Sequence, residues 1–188
     1  MGSFWVGERV RLRGIEPEDW ELLAKREENT TDMRRGDKIH SPWSAARQRE
    51  AAQKAALKPV EGDQFDLAIE SLEDGALVGT VGTFLTDHRA GRFGYGIGIN
   101  PEHKGRGYGS DAVPLLLSFM FGERRFNKCE ATVWAFNEPS LAFHRKLGFT
   151  EEGRLREHEF FAGRHHDVVV FGMTAAEFAA RHPFPSEI

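Results

Sequence analysis

Hydrophobic and polar positions follow two rhythms along this chain, and each rhythm predicts a different element. Period two marks strands, and a period near 3.6 marks helices. "ERVRLRGIE" (residues 8–16) alternates and predicts a strand. "PEDWELLAKREEN" follows, with Pro17 at a helix start and Trp20, Leu23 and Ala24 on one face. Residues Thr30 to Ser41 are polar and irregular and predict a loop. "SPWS" then introduces a second helix, "AARQREAAQKAAL", which Pro59 ends. "QFDLAIES" and "LVGTVGTFL" form a hairpin about Asp74-Gly75. "RFGYGIGIN" is a further strand, followed by a glycine-rich loop and an apolar helix that Pro114 is expected to delay or kink. "KCEATVWAF" is a strand and "EPSLAFHRKLG" a short helix capped by Gly148. "FTEEGRLREHEFF" and "HHDVVVFGMT" make a last hairpin around "AGR", and "AAEFAARH" is a helical tail.

The resulting order, β-α-α-β-β-β-α-β-α-β-β, mixes hairpins with strand–helix–strand crossovers. It therefore predicts a mixed sheet packed by helices. At 188 residues, with no repeat, low-complexity run or linker, the chain suits one domain. Its 25 cationic and 29 anionic side chains give a net charge of −4, evenly spread, which argues against a nucleic-acid or membrane partner. The single cysteine, Cys129, excludes an internal disulfide and reads as a buried, inert thiol in a strand. With no apolar leader and no long apolar run, the expected location is the cytoplasm.

"HKGRGYGSDA" (residues 103–112) places glycines at 105, 107 and 109 among Lys104 and Arg106, at the mouth of the apolar helix. One reading is a tight strand-to-helix turn. A phosphate-binding P-loop needs Lys-Ser/Thr after its last glycine, and a dinucleotide fingerprint needs G-x-G-x-x-G; neither spacing is present. The other reading is an anion cradle of a different type. A helix start offers unpaired N–H groups, and glycines let backbone approach phosphate oxygens. The preceding strand carries Gly94, Gly96 and Gly98 on one face, which marks either close packing or the close approach of a ligand.

"KGRGYG" resembles the Q/R-x-x-G-x-G/A signature of the GNAT superfamily of N-acyltransferases. The run "GINPEHKGRGYGSDA" is similar to the branch that acetylates the N-terminal amines of ribosomal proteins (RimJ/RimL-like), with its spermidine and antibiotic acetyltransferase relatives. "NEPSLAFHRKLGFTEEG" resembles that branch's second signature, and "GRHHDVVVFGMTAAEF" its closing strand. With the element order, this implies one GNAT domain over residues 1–188. Its fold is α/β (α+β), a mixed, mostly antiparallel sheet of about seven strands packed by helices on both faces.

The resemblance implies acetyl-coenzyme A as donor, and the residues themselves lead to the expectation of no metal. Its pyrophosphate is expected on Lys104, Gly105, Arg106, Gly107, Tyr108, Gly109 and Ser110. The pantetheine is expected along the backbone of Gly98, Ile99 and Asn100 as an added strand, and against Asn137 and Ser140. Asn137 also reads as a helix cap. The acceptor is a small-molecule amine (a polyamine or an antibiotic among them) or a protein N-terminus, attacked directly in a ternary complex. Dimers are common in this branch.

Acetyl transfer needs a neutral amine, a donor for the thioester oxygen and a proton for the leaving thiolate. The family's proton donor is usually a tyrosine; here that position is His144. Many members carry a glutamate early in the glycine strand, where this chain has Gly94. That leaves Glu102, and behind it His103, as candidate bases. The same gap admits a coenzyme A sensor without catalysis as an alternative, and another acyl donor (a longer acyl-coenzyme A or an aminoacyl-tRNA) is a further one. His165 and His166 fall on opposite strand faces and do not suit one metal ion. The loop over residues 30–43, with Arg34, Arg35 and Trp43, and the turn at Gly163 are expected to set acceptor specificity.

Overall fold

The computed structural model describes residues 3–36, 39–58 and 62–184. Seven strands form one sheet in the order β1-β2-β3-β4-β5-β7-β6. They are β1 (Val10–Arg13), β2 (Asp66–Ser71), β3 (Leu77–Asp87), β4 (Arg92–Ile99), β5 (Lys128–Trp134), β6 (Thr150–Phe161) and β7 (Arg164–Thr174). Six α-helices accompany them among the described residues: α1 (Trp20–Glu28), α2 (Thr30–Gly36), α3 (Ala45–Leu57), α4 (Tyr108–Ser118), α5 (Glu138–Leu147) and α6 (Ala175–Arg181).

Two elements depart from the sequence pattern. The segment read as a loop from Thr30 contains α2, a seven-residue helix separated from α1 by Asn29 alone. Its sequence, TTDMRRG, lacks an apolar stripe, so periodicity could not reveal it. Pro114 neither delays nor breaks α4, which starts at Tyr108, runs through the proline and ends in a π turn at Phe119–Glu123. The proline gives up its own N–H bond to the preceding turn. Pro59 lies outside the described residues; the helix before it ends at Leu57.

The chain falls into two compact units. The first comprises residues up to Gly82 together with Ile97–Leu115. Its antiparallel register runs Val10↔Ser71 to Arg13↔Ala68 between β1 and β2, and Asp66↔Gly82 to Glu70↔Leu77 between β2 and β3, with a bulge at Ile69/Glu70. Val10, Ile69, Val78, Val81, Ala112 and Val113 are almost wholly buried here. The Arg49 guanidinium lies 4.3 Å above the Trp20 ring, holding α3 to the start of α1.

The second unit comprises Thr83–Gly96 and the residues from Leu116 onward. β5 pairs antiparallel with β7, from Lys128↔Thr174 to Trp134↔Val168, and β6 pairs antiparallel with β7 at the sheet edge. β4 joins β5 in parallel at Arg92↔Lys128, Phe93↔Cys129 and Gly94↔Glu130. Its core is aromatic: Phe93 meets Phe121 and Phe126 edge-on, and Phe171 and Phe178 are fully buried. Cys129 is buried among them, and burial pushes its thiol well above the usual range.

A charged knot sits in the first unit. Arg13 bonds both oxygens of Asp19 at 2.8 and 2.9 Å and Glu70 at 2.6 Å, while Asp19 also accepts from the Glu16 amide. Burial acts to raise both carboxyls, but Arg13 together with the Glu16 amide at Asp19, and Arg13 together with Arg11 at Glu70, outweigh it and hold both below their ordinary values. Their stabilising contribution is therefore complete above the unfolded values near ~4 and is lost as pH falls through the lower folded values. Asp19→Asn is expected to lower unfolding free energy at pH 7 by about 1.5–3 kcal/mol. In urea titrations its deficit against the parent should shrink as the pH drops below ~4; a constant deficit would show that charge is not involved.

Candidate active site

The cradle lies wholly within the first unit. β4 ends at Ile99, and Asn100 closes it: its amide donates to the Val78 carbonyl at 2.8 Å and its buried side chain to the Leu77 carbonyl at 3.1 Å. On the neighbouring strand a Cβ at Gly79 would collide with the Gly98 carbonyl, so glycine is required for this approach. One 3₁₀ turn, Pro101–His103, redirects the chain into the glycine loop.

Gly105 and Gly107 have φ of +78° and +85°, a region in which a side chain is strained. A Cβ at Gly105 would meet nothing within 4 Å, so the loop surface there is open. The amides of Tyr108, Gly109 and Ser110 stand in the first turn of α4, where no carbonyl of the helix can reach them, and Asp111 donates back to Gly107 at 3.1 Å. The Nδ1 of His103, one residue before Lys104, is buried without a partner. Open glycine backbone, unpaired helix-start amides and exposed Lys104 and Arg106 fit a pyrophosphate. No metal-holding cluster of His, Cys, Asp and Glu occurs among the described residues.

The glycine strip along β4 serves packing over part of its length. In the second unit the Phe84 ring covers it: ring atoms lie 2.6–3.2 Å from where a Cβ of Gly94 would stand, and 3.4 Å from that of Gly96. The bare floor expected at these two positions is therefore a seat for phenylalanine. On the opposite side Tyr95 is buried, stacked on Phe149, with a hydroxyl that has no partner. Burial, with Cys129 nearby, pushes that hydroxyl well above its ordinary value.

Asn137, Ser140 and His144 come together along α5 in the second unit. Asn137 caps the helix, its side chain accepting from the Ser140 amide at 3.3 Å. Gly148 closes the helix with φ of +99°, in the left-handed cap that its position suggested. His144 is 5% exposed, stacked on Phe171 and edged by Phe149 and Phe143. Its Nδ1 lies 2.8 Å from the Ser140 carbonyl. A carbonyl only accepts, so Nδ1 carries the hydrogen and Nε2 is left as an acceptor. Burial lowers the imidazole below its ordinary value, although the Ser140 bond opposes this, so the ring rests neutral at pH 7.

Glu102 is exposed and lies 4.0 Å from Lys25. It lines a cavity of about 560 Å³ in the first unit, with Lys25, Glu28, Thr30, Thr31 and Asn100. Trp43 is taken up by the Arg47 guanidinium 4.0 Å above its ring, and Arg34 and Arg35 end α2. His166 stacks on Phe161, whereas His165 packs on Phe160.

Sequence reasoning missed the support behind the cradle. Asp111, in the first turn of α4, accepts from the amides of Glu8, Arg9 and Val10 at 3.2, 2.8 and 3.0 Å. Gly7 lies so close that a Cβ there would sit 2.5–2.7 Å from this carboxylate. The Arg9 side chain crosses Gly107, with Cδ and Nε 3.6 Å from where a Cβ of Gly107 would stand. The only signals were an acid just after the cationic glycine loop and a glycine, Gly7, shortly ahead of the first strand.

Known proteins resemble the chain along nearly all of its length. It is 36% identical over 181 residues to the SPbeta prophage-derived uncharacterized N-acetyltransferase YokL of Bacillus subtilis (strain 168), covering 96% of this chain and 98% of that one. It is 25% identical over 178 residues to the spermidine N(1)-acetyltransferase of Escherichia coli (strain K12), covering 95% and 92%. In fold it matches the crystal structure of spermidine N-acetyltransferase from Vibrio cholerae in complex with CoA and spermine, with a TM-score of 0.77 and 22% identity over 90% of this chain and 97% of that one. The profile of the acetyltransferase (GNAT) domain matches residues 9–150, from β1 to the first residue of β6. The glycine-opened helix after β4 and the Asn137-capped α5 both lie inside that match, and the chain belongs to the GNAT family of N-acetyltransferases.

Proposed function

We propose that this protein moves an acetyl group from acetyl-coenzyme A to a primary amine by direct attack in a ternary complex. The observation that carries the donor is the pair of positive-φ glycines, Gly105 open and Gly107 flanked by Arg9, leading into the unpaired amides of α4. A pyrophosphate on residues 104–110 satisfies those amides, and Lys104 and Arg106 add charge at the rim. The pantetheine arm runs along Gly98 to Asn100 as an added strand; Asn137 and Ser140 contact it as the family motif implies. We take residues 1–188 as one catalytic domain, because the family match crosses both compact units, and place its reaction in the cytoplasm.

For the acceptor, the cavity beside Glu102 and Glu28 supports a small amine such as a polyamine, with carboxylates to receive its cationic end. The spermidine acetyltransferase relative points to the same class. Antibiotic amines and protein N-termini complete the panel to be tested.

His144 handles the proton. Because the ring rests neutral with a free Nε2, it has no surplus proton to give at pH 7. Nε2 first takes the proton that the amine nitrogen sheds as its lone pair forms the new C–N bond. It then returns that proton to the coenzyme A sulfur as the C–S bond breaks. The products are the amide and the free thiol, and the imidazole ends neutral, so no separate carboxylate base is needed.

Two measurements test this reading. Acetyl-coenzyme A at ~100 times its Kd should stabilise the protein by about 2.7 kcal/mol, seen as a raised Tm. Gly105→Ala should weaken binding about tenfold or more, while the free protein loses only the ~1–2 kcal/mol of a side chain at positive φ; unaltered binding would remove the cradle. For catalysis, kcat/KM should fall as pH drops below the lowered His144 value, where Nε2 becomes protonated. His144→Phe should lose that acid limb and about 10²-fold in kcat, with coenzyme A affinity kept. A variant that keeps both rate and limb would exclude the relay.

A further inference from the structure

We propose that Arg9 is a phosphate ligand of the coenzyme A donor, brought to the cradle from the segment ahead of the first strand; this rests on the cradle reading above. Arg9, Arg11 and Arg13 recur at every second position and so project from one side of the strand. Two of them have acids: Arg11 pairs with Glu70 at 2.7 Å, and Arg13 with Asp19 and Glu70. Arg9, at the end next to the cradle, has no carboxylate on its guanidinium among the described residues. The nearby acid, Asp111, is committed to the amides of Glu8, Arg9 and Val10.

Those same three bonds fix the backbone from which Arg9 projects. Gly7 packs against the Asp111 carboxylate with no room for a Cβ, which removes slack from the approach. The Arg9 stem then lies across Gly107, with Cδ and Nε 3.6 Å from where a Cβ would stand. A guanidinium held there has its fork of N–H donors free for a phosphate, the anion whose oxygens match it two at a time. The donor offers two sources of this chemistry, the pyrophosphate and the 3′-phosphate.

Calorimetric titration of the full chain with coenzyme A, dephospho-coenzyme A and pantetheine separates these. Arg9→Ala should weaken coenzyme A by about tenfold or more and leave pantetheine unchanged. Arg9→Lys should recover only part of the loss, because it restores charge without the fork. An equal loss for dephospho-coenzyme A assigns Arg9 to the pyrophosphate; no loss for it assigns Arg9 to the 3′-phosphate. Arg11→Ala, on the same side of the strand but paired with Glu70, serves as the control and should bind coenzyme A like the parent. Parental affinity in Arg9→Ala overturns the role of Arg9 while leaving the cradle intact. Failure of the parent protein itself to bind coenzyme A removes the cradle reading, and Arg9's role with it.

Discussion

The Asp111 carboxylate is the constraint on which the first unit turns. It stands in the opening turn of α4 and takes the amide of Arg9, 102 residues away in the chain, together with those of Glu8 and Val10. A negative group is favoured at a helix start, where the macrodipole is positive. Yet an acid beside the proposed anion cradle is a conflict, because it would compete with a phosphate of the donor. Three backbone donors resolve that conflict by occupying both oxygens on the side of the N-terminal segment. The same bonds fix where β1 begins, and β1 in turn sets the register of β2 and β3. The cradle's geometry and the start of the sheet thus share one determinant.

Local chemistry made much of the fold legible. Asp74-Gly75 turns the β2–β3 hairpin with Gly75 at φ of +72°, Gly148 caps α5, and Asn137 opens it, each through a preference of that residue type at that position. The glycine loop could be read for the same reason: positive φ and open backbone leave a compositional mark. What escaped reading lacked any such mark. Helix α2 has no apolar stripe, and the Asp111 bonds join segments that sit far apart in the chain. Gly94 and Gly96 look identical to Gly98 in sequence, but only the position of Phe84 reveals that the first two are packing sites.

His144 illustrates how burial alters a role that sequence can only locate. The resemblance implies a proton-handling group there, and free imidazole titrates close enough to neutrality to serve as an acid. Enclosure by Phe171, Phe149 and Phe143 penalises the cation, and the Ser140 carbonyl fixes the hydrogen on Nδ1. The ring is thereby left as an acceptor. A phenol at the same place would remain a donor, since its proton is held until pH ~10. In the proposed reaction, histidine in place of tyrosine would therefore reverse the direction of the first proton transfer.

That reversal bears on the carboxylate this chain lacks at Gly94. A glutamate at that position would have to displace Phe84, whose ring already occupies the space of a Cβ. At Gly94 this strand carries aromatic packing where the family resemblance would place a base. A buried neutral imidazole is a weak base, so it removes a proton from nitrogen effectively only once the C–N bond has begun to form and the amine has become acidic. The attacking amine must then arrive neutral by its own equilibrium. An α-amine with a pKa near ~8 does so far more often at pH 7 than an alkylamine near ~10.4. In the proposed reaction, acceptor choice would accordingly depend on the amine's own basicity as well as on the shape of the cavity beside Glu102.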